Sequence, residues 1–200
     1  MSLKLTYFPL PGRAYVARVC FAIGGIEFED ERIPGEEFGK RKAAGELPLG
    51  SLPCLTLPNG RMIVESGAIA RYAAKRAGLY PADAEKQLLC DEAVEICSSV
   101  MSKTPYDKDP EEKKKNREAF AEGLLKKFFG LLNQRIGESD GPFILGSEFC
   151  MADIAVYSLV KMLHSGFIDH IPTDYDAQFS GIVTMMEALE GNARFAPHKL

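Results

Sequence analysis

The rhythm of hydrophobic and polar positions changes once along this chain. Over the first third, short alternating runs take turns with longer helical stretches. Leu3, Leu5 and Tyr7 alternate with Lys4, Thr6 and Phe8, which predicts a strand that Pro9-Leu10-Pro11-Gly12 breaks. Arg13 to Ile23 has helical spacing, with Val16, Cys20 and Ile23 on one face, and Gly24-Gly25 stops it. Ile26 to Ile33 reads as a second strand with Phe28 inward, and Pro34 to Leu49 as a polar loop with a short helix near Phe38 to Ala44. Cys54 to Leu57 and Met62 to Glu65 form a hairpin around Pro58-Asn59-Gly60, because Asn-Gly is a strong short hairpin signal. A helix opens at Ser66, with Ala68, Ile69, Tyr72 and Ala73 recurring at helical spacing.

Beyond Gly78-Leu79-Tyr80-Pro81 no strand period recurs. Asp83 to Met101 predicts a helix with a stripe of Leu89, Ala93, Ile96 and Val100. Pro105 and Pro110 bracket a break. Glu111 to Ile136 reads as one long helix carrying Phe120, Leu125, Phe129 and Leu132. Met151 to His164 is apolar enough to be the buried central helix of a bundle, and Tyr175 to Leu189 is a last amphipathic helix. The expected architecture is α/β plus all-α: an N-terminal domain over residues 1–77 with a mixed four-stranded sheet, a linker over 78–84, and a helical bundle over 85–200.

Two features of Gly50 to Lys75 point to a ligand. Pro53 sits at a strand start, where a proline can be cis and where an extended ligand can add as a further strand. Ser66 stands where the N-terminus of a helix presents free N–H groups and a favourable dipole to an anion. The same residues also suit an ordinary hairpin followed by a serine N-cap.

Composition narrows the function classes. The chain has 200 residues, 46% hydrophobic and 26% charged, ordinary for a globular protein. A net charge of −4 argues against nucleic acid, and Lys113-Lys114-Lys115 is offset by Glu111 and Glu112 as a solvated helix face. Five widely spaced cysteines make neither a disulfide framework nor a zinc pattern, and His164, His170 and His198 have no metal-ligand partner in sequence, so no metal is expected. With no signal peptide and no apolar run of membrane-spanning length, a cytoplasmic protein that needs no membrane is expected.

Taken together, Tyr7-Phe8, Gly12-Arg13-Ala14, Leu52-Pro53 and Glu65-Ser66-Gly67-Ala68-Ile69-Ala70-Arg71-Tyr72, in this order and at these distances, resemble a cytosolic glutathione transferase. Phe143-Ile144-Leu145-Gly146 and Met151-Ala152-Asp153 extend the likeness into the helical half, so it covers nearly the whole chain. The nearest group is the sigma class, which includes a glutathione-dependent prostaglandin D synthase. The resemblance implies a thioredoxin-like N-terminal domain, glutathione as co-substrate with no cofactor, hydrophobic electrophiles as second substrates, and a homodimer.

It also implies roles. Tyr7, which alone reads as a core tyrosine on an alternating strand, becomes the catalytic hydroxyl that stabilises the glutathione thiolate. The backbone of Leu52, beside cis-Pro53, pairs with the cysteinyl part of glutathione. Ser66 holds the γ-glutamyl carboxylate and Glu65 the ammonium. Arg13 and Lys42 meet the glycyl carboxylate, with Phe38 where the group often has tryptophan. Phe8, Leu10, Arg13, Met101 and Tyr106 build the second-substrate pocket; Met101 suits core packing nearly as well. No cysteine lies in Phe8 to Arg13, where redox relatives of the fold keep a reactive thiol, and Cys20 falls on the apolar face. Conjugation or isomerisation is therefore expected rather than thiol–disulfide exchange.

Three positions depart from the pattern. Ser99 stands where the partner subunit usually supplies an aspartate to the glutathione amino group. Cys150 replaces the serine or threonine that caps the buried helix, which leaves Asp153 to hold that helix start. Phe38 lacks an indole N–H. The rival readings are an isomerase or peroxidase acting on lipid substrates through the same thiolate, and a non-catalytic carrier or structural protein of this fold.

Overall fold

In a computed structural model, which describes residues 2–200, the chain divides into two compact units that meet in sequence between Tyr80 and Pro81. The first unit carries a four-stranded sheet in the order β2-β1-β3-β4. β1 (Leu3–Tyr7) pairs parallel with β2 (Phe28–Arg32), from Leu3 opposite Phe28 to Tyr7 opposite Arg32. On its other side β1 pairs antiparallel with β3 (Cys54–Thr56), which pairs antiparallel with β4 (Met62–Ile63). The mixed sheet is the expected one. A parallel β1–β2 pair needs a crossover helix, and a 3₁₀ turn at Gly12–Ala14 leading into α1 (Tyr15–Ile23) supplies it.

The buried face of α1 differs from the expected stripe. Val16 and Ile23 are only half-buried, while Tyr15, Ala17, Arg18, Val19, Cys20 and Phe21 are all buried. A crossover helix enclosed on more than one side does not show a single stripe, and here the enclosure includes a charged residue. α2 (Gly35–Ala43) buries no residue; the Arg41–Glu31 ion pair ties it to β2, and Arg41 also pairs with Glu37 one turn back in the same helix. The Arg41 hydrogen bonds hold the Glu31 carboxyl below the ordinary carboxylate range. In α3 (Ser66–Ala77) the buried stripe is Ile69, Ala70, Ala73 and Ala74; Ala68 and Tyr72 face outward, one position off the expected face.

The second unit is all-helical. Asp83 caps α4 (Ala84–Lys103) by accepting from the N–H groups of Glu85 and Lys86. Cys90, Ala93, Val94, Ile96, Cys97 and Val100 are its buried positions, and Leu89 lies outside the stripe at 37% exposure. The helix expected over 111–136 begins at Pro110 and is interrupted: α5 (Pro110–Phe120) passes through a π turn at Ala121–Leu125 into α6 (Lys126–Gly137). A π turn displaces the regular carbonyl partner, and the Tyr175 hydroxyl donates to the Ala121 carbonyl at 2.5 Å. Lys113 reaches Asp169 at 2.8 Å instead of lying along a solvated face with Glu111 and Glu112.

α7 (Met151–His164) is the buried helix of this unit, packed on α4 and α8. Its start is held by Asp153, whose two oxygens accept from the N–H groups of Ile144 at 2.9 Å and Cys150 at 2.8 Å. Full burial pushes the Asp153 carboxyl up to about 6. The last helix, α8 (Ser180–Gly191), starts later than expected because Tyr175–Gln178 is a separate 3₁₀ turn. All five cysteines are buried and none is in a disulfide. Among the described residues no group of histidines, cysteines and carboxylates has metal-binding geometry, and no helix is long and apolar enough to cross a membrane.

Candidate functional site

Around the end of β1 the first unit brings together Tyr7, Phe8, Leu10 and Arg13, and ring contacts continue from Phe8 to Phe38 and Lys42. Tyr7 closes that strand and is buried. The chain reverses at Pro9 to Pro11, and the 3₁₀ turn brings the backbone N–H of Arg13 back to the phenol. Arg13 N–H donates to Tyr7 Oη at 3.1 Å. The phenol oxygen is thus an acceptor from the main chain, which leaves its own hydrogen to be donated elsewhere. Gly12, at φ +41°, is what allows this approach: a Cβ there would lie 2.7 Å from Tyr7 Oη and 2.7 Å from the Leu10 side chain.

Arg18 fixes the reversal from beneath. It is 9% exposed, and its guanidinium donates to the carbonyls of Leu10 at 2.6 Å, Pro11 at 3.4 Å and Phe8 at 3.3 Å. Its Nε donates to Asp30 at 2.9 Å, and its guanidinium carbon stands 5.7 Å from the centroid of the Tyr7 ring. Arg18 belongs to no motif of the sequence. The available signal was a charged residue inside the otherwise apolar run Tyr15 to Ile23, which asks for a buried partner.

A row of side chains leads away from Tyr7 toward α2. Phe8 meets Tyr7 edge-on at 5.3 Å between centroids and meets Phe38 in the same way at 5.3 Å. Lys42 Nζ lies 5.8 Å from the Phe38 centroid, and the Lys42 chain runs within 3.2 Å of the point where a Cβ on Gly50 would stand. Tyr7, Phe8, Phe38 and Lys42 therefore form one continuous surface. Leu10 is exposed beside it.

The Leu52–Pro53 peptide is cis, and the β1–β3 ladder begins only at Cys54. Ser66 is the first residue of α3 and not its cap. Glu65 holds the cap position at φ 72°, ψ 107°, without a side-chain cap bond. The first main-chain helical bond runs from Ile69 N–H to the Glu65 carbonyl, so the N–H groups of Ser66, Gly67 and Ala68 precede the ladder. A glutamate in the left-handed region costs on the order of 1–3 kcal/mol, and such residues cluster at ligand clamps. Met101, half-buried near the end of α4, and the exposed Tyr106 belong to the second unit.

A four-stranded mixed sheet with this crossover, followed by a helical bundle, defines a thioredoxin-like domain joined to an all-helical one. The description "Glutathione S-transferase, N-terminal domain" matches residues 3–75, and "Glutathione S-transferase, C-terminal domain" matches residues 97–196. The chain belongs to the glutathione S-transferase family, enzymes that use glutathione as co-substrate and need no further cofactor. It is 31% identical over 174 residues to glutathione S-transferase 3 of Caenorhabditis elegans, covering 83% of each chain. Over 105 residues, 52% of this chain and 51% of the relative, it is 39% identical to hematopoietic prostaglandin D synthase of Gallus gallus. Among solved structures, prostaglandin synthase D of Nilaparvata lugens superposes with a TM-score of 0.84 at 24% identity, covering 98% of this chain and 96% of that one.

Proposed function

We propose that this protein activates the thiol of glutathione through the Tyr7 hydroxyl and adds the thiolate to hydrophobic electrophiles. The carrying observation is the hydrogen bond from Arg13 N–H to Tyr7 Oη. A phenol that accepts from the main chain is polarised to donate its own hydrogen, the direction a thiolate needs. A free thiol near pKa 8.5 is only a few per cent ionised at neutral pH, and lowering it by about two units needs about 2.7 kcal/mol. One hydrogen bond to a charged group contributes about 1.5–3 kcal/mol, so a single aimed hydroxyl supplies most of that shift.

Glutathione lies extended along residues 1–77 in this reading. The Leu52 backbone beside Pro53 pairs with the cysteinyl part, the N-terminus of α3 with Ser66 takes the γ-glutamyl carboxylate, and Glu65 takes the ammonium. Arg13 and Lys42 face the glycyl carboxylate, and the position of Lys42 beside Phe38 supports its place there. Phe8, Leu10, Arg13, Met101 and Tyr106 receive the second substrate. Retention on glutathione-agarose, followed by turnover of chlorodinitrobenzene, tests the reading; failure of both removes it.

Isomerase or peroxidase chemistry on lipid-derived substrates is the second reading, favoured by the 39% identity to the avian prostaglandin D synthase, and with it a sigma-class assignment. A cytoplasmic homodimer in which α3 faces α4 of a second copy completes the proposal. Leu88 and Leu89 on α4 are exposed there, while Glu92 on the same helix is taken by Arg135 within the chain at 2.6 Å. Sedimentation equilibrium at micromolar concentration should give twice the 22.0 kDa chain mass; a single species at the chain mass contradicts it.

A further inference from the structure

The segment between α4 and α5 is held more firmly than an exposed connection needs. Tyr106 is 62% exposed, yet the guanidinium carbon of Arg117 stands 5.2 Å from its ring centroid. Arg117 itself is only 3% exposed. Its Nε donates to the Pro105 carbonyl at 2.9 Å, its Nη1 donates to the Asp169 carbonyl at 3.2 Å, and the same nitrogen pairs with the Asp169 carboxylate. Lys113 at 2.8 Å and His170 at 3.4 Å hold that carboxylate from other sides. On either flank of the tyrosine, the Thr104 hydroxyl donates to the Val100 carbonyl at 2.8 Å, and Asn116 donates to Asp107 at 3.0 Å.

Stability alone accounts poorly for this arrangement. Taking a guanidinium out of water is costly unless every donor is matched, and an exposed cation–π contact returns little. A ring that is already ordered, however, loses less freedom when a flat ligand lies on it, which is how a preorganised aromatic raises affinity. We infer that Arg117 is a positioning residue for the second substrate: it holds Tyr106 as a preformed platform for the planar, apolar part of the electrophile. This rests on the reading of Tyr106 as a second-substrate residue. The contacts involved all lie within the second unit.

The test is a double-mutant cycle between Arg117→Lys and Tyr106→Ala, read as separate KM values for chlorodinitrobenzene and glutathione. Lysine keeps a cation for Asp169 but cannot keep both the guanidinium over the Tyr106 ring and the Nε bond to Pro105. Each single variant should raise the electrophile KM by about fivefold, the scale of ordering one side chain, with the glutathione KM unchanged. In the Tyr106→Ala background Arg117→Lys should add nothing further. An electrophile KM raised by Tyr106→Ala and untouched by Arg117→Lys overturns the role of Arg117. So does an Arg117→Lys effect that persists in full without the tyrosine, or one that falls equally on glutathione. If Tyr106→Ala itself leaves the electrophile KM unchanged, the assignment of Tyr106 falls first and the inference with it. Should Arg117→Lys fail to fold, Asp169→Asn loosens the same guanidinium without removing it and enters the cycle in its place, with the same outcomes.

Discussion

The oxygen of Tyr7 and the backbone N–H of Arg13 stand 3.1 Å apart across the turn that follows β1, with Gly12 between them. The turn and the hydroxyl are one device, because the close approach exists only while residue 12 lacks a side chain.

Gly12→Ala therefore should damage activity more than folding. Its Cβ would meet Tyr7 Oη at 2.7 Å, and φ +41° adds backbone strain. A displacement of about 1 Å at a reacting group can cost on the order of 10²-fold, so kcat/KM should fall by about 10–100-fold. The far-ultraviolet circular dichroism spectrum should stay that of the parent. Parental kcat/KM in the alanine variant would separate Gly12 from the function of Tyr7.

Ser66→Ala should act on binding. Ser66 opens α3 among N–H groups that precede its hydrogen-bond ladder, a place suited to a carboxylate remote from the sulfur. Its loss should raise the glutathione KM by about five- to tenfold and leave kcat within about twofold, since a remote hydrogen bond is uniform binding. Steady-state kinetics over glutathione concentration checks this. An unchanged KM with a lowered kcat would move Ser66 to the reacting end.

Stability should carry a signature of Asp153. Burial raises its folded carboxyl from 3.8 to about 6. Between those values the folded chain keeps a proton that the unfolded chain has released, so this group's contribution to stability falls as pH rises through that window. The full loss is about 3 kcal/mol. Glu31, whose carboxyl is shifted the other way by Arg41, contributes with the opposite sign below its ordinary 4.5. Urea unfolding of the parent and of Asp153→Asn, compared from pH 4.5 to 6.5, should show the parent losing its advantage over the variant as pH rises. A difference that is flat with pH would mean that Asp153 does not titrate there.

The elements themselves were legible because their signals are local. Strand alternation in Leu3 to Tyr7, the Asn59-Gly60 turn and the apolar run of α7 each decide their own conformation. Which faces are buried was less legible. Val16 and Ile23 lost their place to Arg18 because a crossover helix is enclosed on several sides, and a buried arginine is specified by distant carbonyls and by Asp30. The π turn after Phe120 is likewise met from far along the chain: the Ala121 carbonyl accepts from Tyr175, 54 residues away. At the candidate site, the sequence order pointed to Tyr7, Gly12 and the start of α3. The cap conformation of Glu65 and the cradle around the Phe8 to Pro11 carbonyls depend on three-dimensional packing, which no spacing rule encodes.

The most direct test of Tyr7 as the thiolate-stabilising hydroxyl is kcat/KM for conjugation at pH 6.5 in Tyr7→Phe, with glutathione affinity measured alongside. Phenylalanine keeps the ring that packs on Phe8 and faces Arg18, and removes only the oxygen. The expected result is a loss on the order of 10²-fold in kcat/KM, as for removal of a single donor to an anion, with glutathione binding retained. A Tyr7→Phe variant that turns over at the parental rate at pH 6.5 would contradict the account.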